Sequence, residues 1–294
     1  MRRGKALWTG VTLAAGIALL TTAVAGQRGP QQLSVTVSQI KPNIYWAAGG
    51  GGNSGIIIGD NGVIVIDPKT TAEGAKLLLA EIAKITPKPV THFFSTHSDA
   101  DHWGGADAFP ASAMWITSEG FRKEQLAIEK MGDAPHKRVP SRLVKRGKES
   151  VTYNGVRLDL YHWVPGHTSG DLVIHVPEER LVFTGDVTSN ARPEPTLHAH
   201  KGANPDGWIA IVNNLLKLNG ELYVSGHGTM ENFTPAWLQT RVKEATETNN
   251  RVKAMVAEGR SLGDIKMTLK MAPGPASGNP TYLEVAYWNA LLKR

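Results

Sequence analysis

The 294-residue chain contains no cysteine. Disulfide bonds, thiolate metal ligands and lipids attached through a cysteine are therefore excluded. Any metal ion that the protein binds must be held by nitrogen and oxygen atoms. Beyond the N-terminal region the sequence also has no basic run interleaved with aromatic residues, so a nucleic acid is not an expected partner.

Long apolar runs are absent except near the N-terminus. There, basic residues at positions 2, 3 and 5 precede the apolar run 6–20, and Ala23-Val24-Ala25 follows it. This order predicts a signal peptide over residues 1–25. The alternative is an uncleaved membrane anchor, because the stretch from residue 6 to residue 25 is just long enough to span a bilayer. We expect an exported protein, periplasmic or secreted, whose mature part does not associate with a membrane.

Alternating strand and helix patterns fill residues 26–294. The runs 56–58 and 63–66 predict two strands of a hairpin, and a helix is predicted from Thr70 or Thr71 to about residue 85. Three further helices are predicted near residues 235–258, 261–270 and 282–292. This order predicts one layered α/β domain with C-terminal helices. The charged stretch 132–148, interrupted by prolines, is expected to link two halves or to form a surface excursion.

The densest group of metal-binding side chains follows the predicted strand 89–94. It comprises His97, Asp99, Asp101 and His102. Residues two apart on an extended loop project the same way, so we expect the first three to converge and His102 to face a neighbouring point. Four such side chains within six positions predict a metal site.

Three later residues recur in glycine-bearing turns at the ends of predicted strands. They are His167, Asp186 and His227. Such turns are where a rigid scaffold presents functional side chains. Together with the first group they give four histidines and three carboxylates, a donor set that suits zinc and also iron or manganese.

The order of these motifs resembles that of the metallo-β-lactamase fold superfamily. That family has H-x-H-x-D-H, then G-H-[ST]-x-G-[DH], then [TS]-G-D and G-H-G, and the matching segments here are 97–102, 166–171, 184–186 and 226–228. The resemblance covers roughly residues 35–230. It implies a four-layered αββα sandwich with two metal ions at one edge, between the two sheets.

The resemblance also implies the ligand sets. Site one would hold His97, Asp99 and His167, site two would hold Asp101, His102 and His227, and Asp186 would bridge them. Zinc is the first expectation, with iron or manganese as alternatives. Asp99 stands where the family usually has a second histidine, and its added negative charge is expected to hold the second cation more firmly.

The activity implied by the resemblance is that of an exported dinuclear metallohydrolase. A metal-bound hydroxide, oriented by Asp101 as catalytic residue, would attack the carbonyl of an ester, thioester, lactone, amide or lactam in a small-molecule substrate. The family name does not identify that substrate. Two alternatives remain open: a di-iron redox protein at the same ligands, which Asp99 favours, and a non-catalytic member that only binds metal.

Four further residues are candidates for substrate contact. His198 and His200 form an H-x-H pair on the predicted loop 189–205, Trp103 adjoins His102, and Trp46 lies near the glycine run 49–52. That run predicts a flexible flap or a tight turn. For the histidines a surface position is the alternative, and for the two tryptophans it is packing in the core.

Overall fold

Twelve strands and six helices occupy residues 33–130, 138–189, 194–270 and 278–293, the parts of the chain that the computed structural model describes. The predicted signal peptide at residues 1–25 lies outside the described residues, as does His136 of the charged stretch. No helix within the described ranges is long and apolar enough to cross a membrane.

The first sheet contains seven strands that lie side by side in chain order. They are β1 (Thr36–Lys41), β2 (Ile44–Ala48), β3 (Ser54–Ile58), β4 (Val63–Ile66), β5 (Val90–Phe94), β6 (Met114–Ser118) and β7 (Arg142–Val144). Strands β1 to β4 pair antiparallel and include the predicted hairpin of β3 and β4, and β4 to β7 pair parallel.

The second sheet contains five strands in the order β12-β11-β10-β9-β8. They are β8 (Gly147–Tyr153), β9 (Val156–His162), β10 (Val173–Val176), β11 (Leu181–Gly185) and β12 (Leu222–Ser225). Strands β11 and β12 are parallel, and the other pairs are antiparallel. Since β9 and β11 both run antiparallel to β10, the C-terminal ends of β9, β11 and β12 meet at one edge.

The two sheets pack face to face over a core that both supply. Ile66 and Phe94 of the first sheet and Leu160, Ile174 and Phe183 of the second belong to one buried cluster. Burial of each such side chain stabilises the fold by about 1.5–3 kcal/mol. Because this cluster joins the sheets, the edge at which their strands end is held rigidly.

Helices cover the outer face of each sheet. The helices are α1 (Ala72–Ile85), α2 (Glu119–Lys130), α3 (Pro205–Lys217), α4 (Pro235–Ala257), α5 (Leu262–Thr268) and α6 (Tyr282–Leu292). Leu78 and Ile82 of α1 pack on the first sheet, and Trp208 of α3 packs with Leu238 of α4 on the second. Thr71 caps α1 by accepting a hydrogen bond from the Gly74 amide, as predicted. The predicted four-layered αββα sandwich is therefore confirmed.

The charged stretch 132–148 contains a strand that its sequence does not predict. Residues 142–144 form the edge strand β7, and β8 begins at Gly147 and opens the second sheet. Arg142 of β7 pairs with Glu149 of β8, their atoms Nη2 and Oε2 lying 2.6 Å apart. The stretch links the two sheets, as one of its two interpretations proposed, and residues 131–137 lie outside the described residues.

Asp206 at the start of α3 holds the C-terminal helices together. Its Oδ1 accepts from Lys253 Nζ at 2.6 Å and its Oδ2 from Lys293 Nζ at 2.7 Å. Partial burial alone would raise the pKa of Asp206, but the hydrogen bonds from Lys253, Lys293 and Asn249 outweigh it and hold the pKa well below its usual range. The ionised carboxylate is therefore the form that stabilises the fold.

Asp206→Asn is expected to lower the free energy of unfolding by about 1 kcal/mol at neutral pH, since the network is partly exposed to solvent. A depressed carboxyl pKa stabilises the folded state above the unfolded pKa of about 3.9 and stops doing so as the pH falls. The difference from wild type should shrink below about pH 4 in urea titrations. Glu244→Gln is the control, because the ion pair of Glu244 with Arg241 lies within α4 and does not involve Asp206.

Candidate metal centre

The sequence 97–102 leaves strand β5 and then turns. Residues Ala100–His102 form a short 3₁₀ turn that begins directly after Asp99. Asp101 lies in this turn and groups with His102 and His227 rather than with His97 and Asp99, so the predicted convergence of the three residues on one point is not seen for Asp101. The prediction assumed an extended loop, and the turn breaks that geometry.

The first group of candidate ligands consists of His97, Asp99 and His167, whose ligand atoms all lie within 4.8 Å of one another. Asp99 Oδ2 is 3.1 Å from His167 Nε2 and 3.6 Å from His97 Nε2. Both imidazoles are almost fully buried. The structure thus brings together the three residues that the resemblance assigned to site one.

The second group consists of Asp101, His102 and His227. Asp101 Oδ2 lies 2.9 Å from His227 Nε2 and 3.5 Å from His102 Nε2. The two imidazole nitrogens His102 Nε2 and His227 Nε2 are 3.2 Å apart. These are the residues that the resemblance assigned to site two.

The carboxylate of Asp186 faces both groups. Its Oδ1 is 3.4 Å from His102 Nε2, and its Oδ2 is 3.4 Å from His227 Nε2 and 3.9 Å from His167 Nε2. Asp186 Oδ1 is buried and has no hydrogen-bond partner. From this position Asp186 could contact an ion held by either group.

The hydrogen bonds of the outer ring nitrogens fit a cation inside the cluster. His167 Nδ1 lies 2.7 Å from the carbonyl oxygen of Thr196, and His102 Nδ1 lies 2.8 Å from Asp67 Oδ2. A neutral imidazole that donates through Nδ1 carries its lone pair on Nε2. With a cation inside the cluster, the lone pairs of these nitrogens and of the carboxylate oxygens would all point towards it. The donor set therefore fits the divalent metal ions that the motifs predict.

His97 shows the same arrangement. Thr96 Oγ1 donates to Asp67 Oδ2 at 2.9 Å and so accepts from His97 Nδ1 at 3.0 Å. His97 Nε2 is consequently the free acceptor, and it is buried without a hydrogen-bond partner. A buried acceptor of this kind is costly unless an ion occupies the space in front of it.

The pKa shifts reflect the concentration of carboxylates at the site. Burial alone would lower the pKa of His167, but its hydrogen bond to Asp99 and the charge of Asp186 raise that pKa to about 9. Burial would also lower the pKa of His102, yet Asp186 and Asp67 raise it well above 6.5. The cluster attracts positive charge, so protons compete with metal ions for the same imidazoles.

Two buried aspartates position the histidines. Asp67, just after β4, accepts from the Thr96 amide, from Thr96 Oγ1 and from His102 Nδ1. Asp171 accepts from the backbone amides of Gly166, His167 and Thr168, which fixes the turn that carries His167. The sequence analysis did not identify the role of Asp67. The only indication of it in the sequence is that a carboxylate directly follows a predicted strand.

Two glycines allow the backbone to approach the ligands. A Cβ on Gly52 would lie 2.4 Å from His102 Cε1, and a Cβ on Gly226 would lie 2.2 Å from Asp186 Oδ1. The buried Lys69 ammonium donates to the carbonyl oxygens of Ala47 and Gly52, each at 2.9 Å. The glycine run 49–52 is thus a turn that Lys69 holds in place and that packs against His102. This agrees with the tight-turn prediction.

Lys201 is the main residue near the centre that the sequence analysis did not single out. Its ammonium pairs with Asp99 Oδ1 and lies 2.9 Å from Ser98 Oγ. The negative charge of Asp99 is therefore balanced within the protein. The expectation that this charge holds the second cation more firmly did not take Lys201 into account, because Lys201 lies about a hundred residues along the chain from Asp99.

Two cavities open onto the candidate ligands. One, of about 320 Å³, is lined by residues of both groups together with His198. The other, of about 910 Å³, extends over Trp103, over Ala127 and Ile128 of α2, and over His198 and His200. Both histidines and Trp103 are thus placed where a substrate would contact them, and that contact remains a prediction.

Trp46 does not line either of these two cavities, and its contact with substrate stays a prediction. Its indole packs against the core between the two sheets, and its ring centroid lies 6.3 Å from that of Phe233. Strand β2 turns this face of Trp46 towards the second sheet. This packing agrees with the alternative interpretation of this residue.

Comparison with known proteins supports the same family. The sequence pattern of the metallo-beta-lactamase superfamily matches residues 47–227. The alpha subunit of 2,4-dinitroanisole O-demethylase from Nocardioides sp. is 26% identical over 196 residues, which are 66% of this chain and 58% of that protein. Metallo-beta-lactamase type 2 from Bacillus cereus is 21% identical over 66% of this chain and 77% of its own length.

A solved structure shares the fold. The stereoselective inverting sec-alkylsulfatase from Pseudomonas sp. superposes with a TM-score of 0.68 at 17% identity, over 87% of this chain and 50% of that one. The chain thus spans about half the length of the alkylsulfatase and little more of the demethylase subunit. Since the family pattern covers more than half of the sequence and includes all seven candidate ligands, the chain belongs to the metallo-β-lactamase superfamily.

Proposed function

We propose that this protein is an exported, metal-dependent hydrolase with two divalent ions, zinc in the first place, held by the two groups and Asp186. The observation that carries the proposal is a cluster of buried acceptor atoms. His97 Nε2 and Asp186 Oδ1 have no hydrogen-bond partners. Ligand atoms of these two residues and of His102 lie within 4.8 Å of one another. Such a cluster has a physical reason only if cations fill it.

When bound, ions of this kind generate a hydroxide at neutral pH and polarise the bond to be broken. The protein supplies the orientation. Asp101 Oδ2, 2.9 Å from His227 Nε2 and partly exposed, accepts a hydrogen bond from the attacking water and fixes its direction. Asp67 and Asp171 hold His102 and His167 in place, so the centre needs little rearrangement during the reaction.

The larger cavity indicates the kind of substrate. Its wall of Trp103, Ala127 and Ile128 suits an apolar group, while Lys201 and His200 lie at its polar side. We propose a small amphipathic molecule with a hydrolysable ester, thioester, lactone, amide or lactam group next to Asp99 and Asp101. The relatives' names add a sulfate ester and an aryl ether as further bond types.

The export proposal has its support in the sequence alone. The pattern at residues 1–25 is that of a signal peptide, so we propose a periplasmic or secreted protein.

The first experiment uses the protein purified after export. It is stripped with a chelator, supplied again with zinc, and assayed with aryl esters, thioesters, lactones, β-lactams and alkyl sulfates. We expect turnover of at least one class that disappears with the metal and returns with zinc. The proposal fails if the zinc-loaded protein turns over none of these classes, or if turnover survives complete removal of metal.

A second candidate is a di-iron redox protein. Two histidines and one carboxylate, as in His97, His167 and Asp99, form a set that also binds non-haem iron. This candidate is favoured if the exported protein contains iron and absorbs visible light, and it is rejected if zinc alone restores turnover.

A further inference from the structure

Two segments from different sheets supply the candidate ligands of site one. His97 and Asp99 follow β5 of the first sheet, whereas His167 lies in a turn between β9 and β10 of the second. The segments meet directly where the Leu172 amide donates to the carbonyl oxygen of Thr96 at 2.7 Å. One such hydrogen bond restrains a distance but not the angle between two segments, so a second connection would fix their relative orientation.

The carboxylate of Glu124 on α2 contacts both segments at once. Its Oε2 accepts a hydrogen bond from Oγ of Ser98, the residue between His97 and Asp99. Its Oε1 accepts from the Ser169 amide at 2.8 Å and also from Ser169 Oγ. The side chain is buried, and a buried carboxylate is costly unless donors of this kind satisfy it. Each oxygen of Glu124 therefore holds one of the two segments.

The helix that carries Glu124 is itself fixed to the turn of His167. Ser118, the last residue of β6, donates through Oγ to the carbonyl oxygen of Gly170 at 2.6 Å. The same Oγ accepts from the Phe121 amide at 3.0 Å, in the first turn of α2. The start of α2 cannot move relative to the turn without breaking these buried hydrogen bonds, so Glu124 has a rigid support.

Ser98 links Glu124 to the charge of Asp99. The Lys201 ammonium pairs with Asp99 Oδ1 and lies 2.9 Å from Ser98 Oγ. Because an ammonium only donates, Ser98 Oγ accepts from Lys201 and gives its single proton to Glu124. A continuous row of hydrogen bonds thus runs from Asp99 through Lys201 and Ser98 to Glu124, and it ends on Ser169 in the turn of His167.

We propose that Glu124 is a positioning residue of the metal centre, which sets Asp99 and His167 relative to each other by connecting Ser98 with Ser169. The inference rests on the two-metal function proposed above. Ser98 precedes Asp99 directly, and Ser169 follows His167 by two residues. Glu124 therefore acts on the ion at site one through the backbone of its ligands, without being a ligand.

The test compares the zinc dissociation constants of wild type, Glu124→Gln and Glu129→Gln, measured by competition with a chelator. An amide at position 124 replaces one acceptor with a donor group, so one of the two segments loses its acceptor. At least one dissociation constant of Glu124→Gln should rise by about tenfold, the lower end of what outer partners of metal ligands contribute. Glu129→Gln is the control, because the ion pair of Glu129 with Arg122 lies within α2, and it should bind zinc as wild type does.

Ser98→Ala separates positioning from a purely structural role. A connection already cut at Ser98 has little left to lose, so Glu124→Gln should weaken zinc binding clearly less in this background than in wild type. A structural role alone would lower the stability of metal-free Glu124→Gln in urea and leave zinc binding unchanged. That result, or an equal loss of zinc affinity in both backgrounds, overturns the inference.

Ser169→Ala is a milder variant that tests the same connection if Glu124→Gln does not fold. It removes one of the three hydrogen bonds to the carboxylate and keeps the one from the Ser169 amide. Ser98→Ala and Ser169→Ala should each weaken zinc binding, and the inference is overturned if both bind zinc as tightly as wild type. A wild type that binds no zinc would refute the two-metal function itself and this inference with it.

Discussion

Asp186→Ala is expected to empty most of the metal centre and to slow hydrolysis by about 10³-fold, because Asp186 faces both ligand groups. Its two oxygens lie 3.4 Å from His102 Nε2 and from His227 Nε2, and no other carboxylate among the described residues approaches both groups in this way. Losing several kcal/mol of electrostatic stabilisation in the transition state corresponds to roughly this factor.

The measurement combines metal content with the rate on the best substrate of the panel. Asp60→Ala is the control, because Asp60 is exposed in the turn between β3 and β4, at the opposite end of the sheet from the ligands. Its metal content and rate should match wild type. If Asp186→Ala kept two ions per chain, a bridging role for Asp186 would be wrong.

Asp67→Asn is the second large effect, and it acts on metal affinity and stability together. Asp67 is buried and accepts three hydrogen bonds, two from Thr96 and one from His102 Nδ1. An amide in its place presents one acceptor and one donor group. At least one buried donor loses its acceptor, which costs about 1–3 kcal/mol.

The same substitution frees the ring of His102. Outer partners of metal-binding histidines typically contribute 10–100-fold to metal affinity, and we expect a loss in that range for zinc at site two. Asparagine is the right replacement because residue 67 has a φ of 59°, which asparagine tolerates as aspartate does. Urea unfolding of the metal-free protein gives the stability change, and a zinc titration gives the affinity.

The two measurements distinguish two roles for Asp67. A loss of stability with unchanged zinc affinity would make Asp67 a structural residue only. A parallel loss of both supports its role in orienting His102. Asp60→Asn should change neither quantity.

The sequence predicts the layered fold and brings out all seven candidate ligands, because each ligand lies in a motif that is local in sequence. A cluster such as 97–102 needs no knowledge of distant contacts, and glycine turns such as 226–228 are visible on their own. The order of four such motifs carries much more information than any one of them.

Contacts between distant segments are what the sequence does not show. Lys201 and His198 reach Asp99 from a loop a hundred residues away, and Asp67 reaches His102 from another strand. Strand β7 was missed because a three-residue charged edge strand has little pattern of its own. One expectation from local geometry was also wrong. It assumed an extended loop at residues 97–101, but residues 100–102 form a 3₁₀ turn, and Asp101 lies with the second group instead of the first.

The most direct test of the account is the metal content of the exported protein, purified without added metal, compared with that of the variant Asp101→Ala/His102→Ala. We predict about two zinc ions per chain in the wild type, one for each candidate ligand group, and a clear loss of both metal and activity in the variant. A wild type without metal, or a variant that keeps full metal content and full activity, would contradict it.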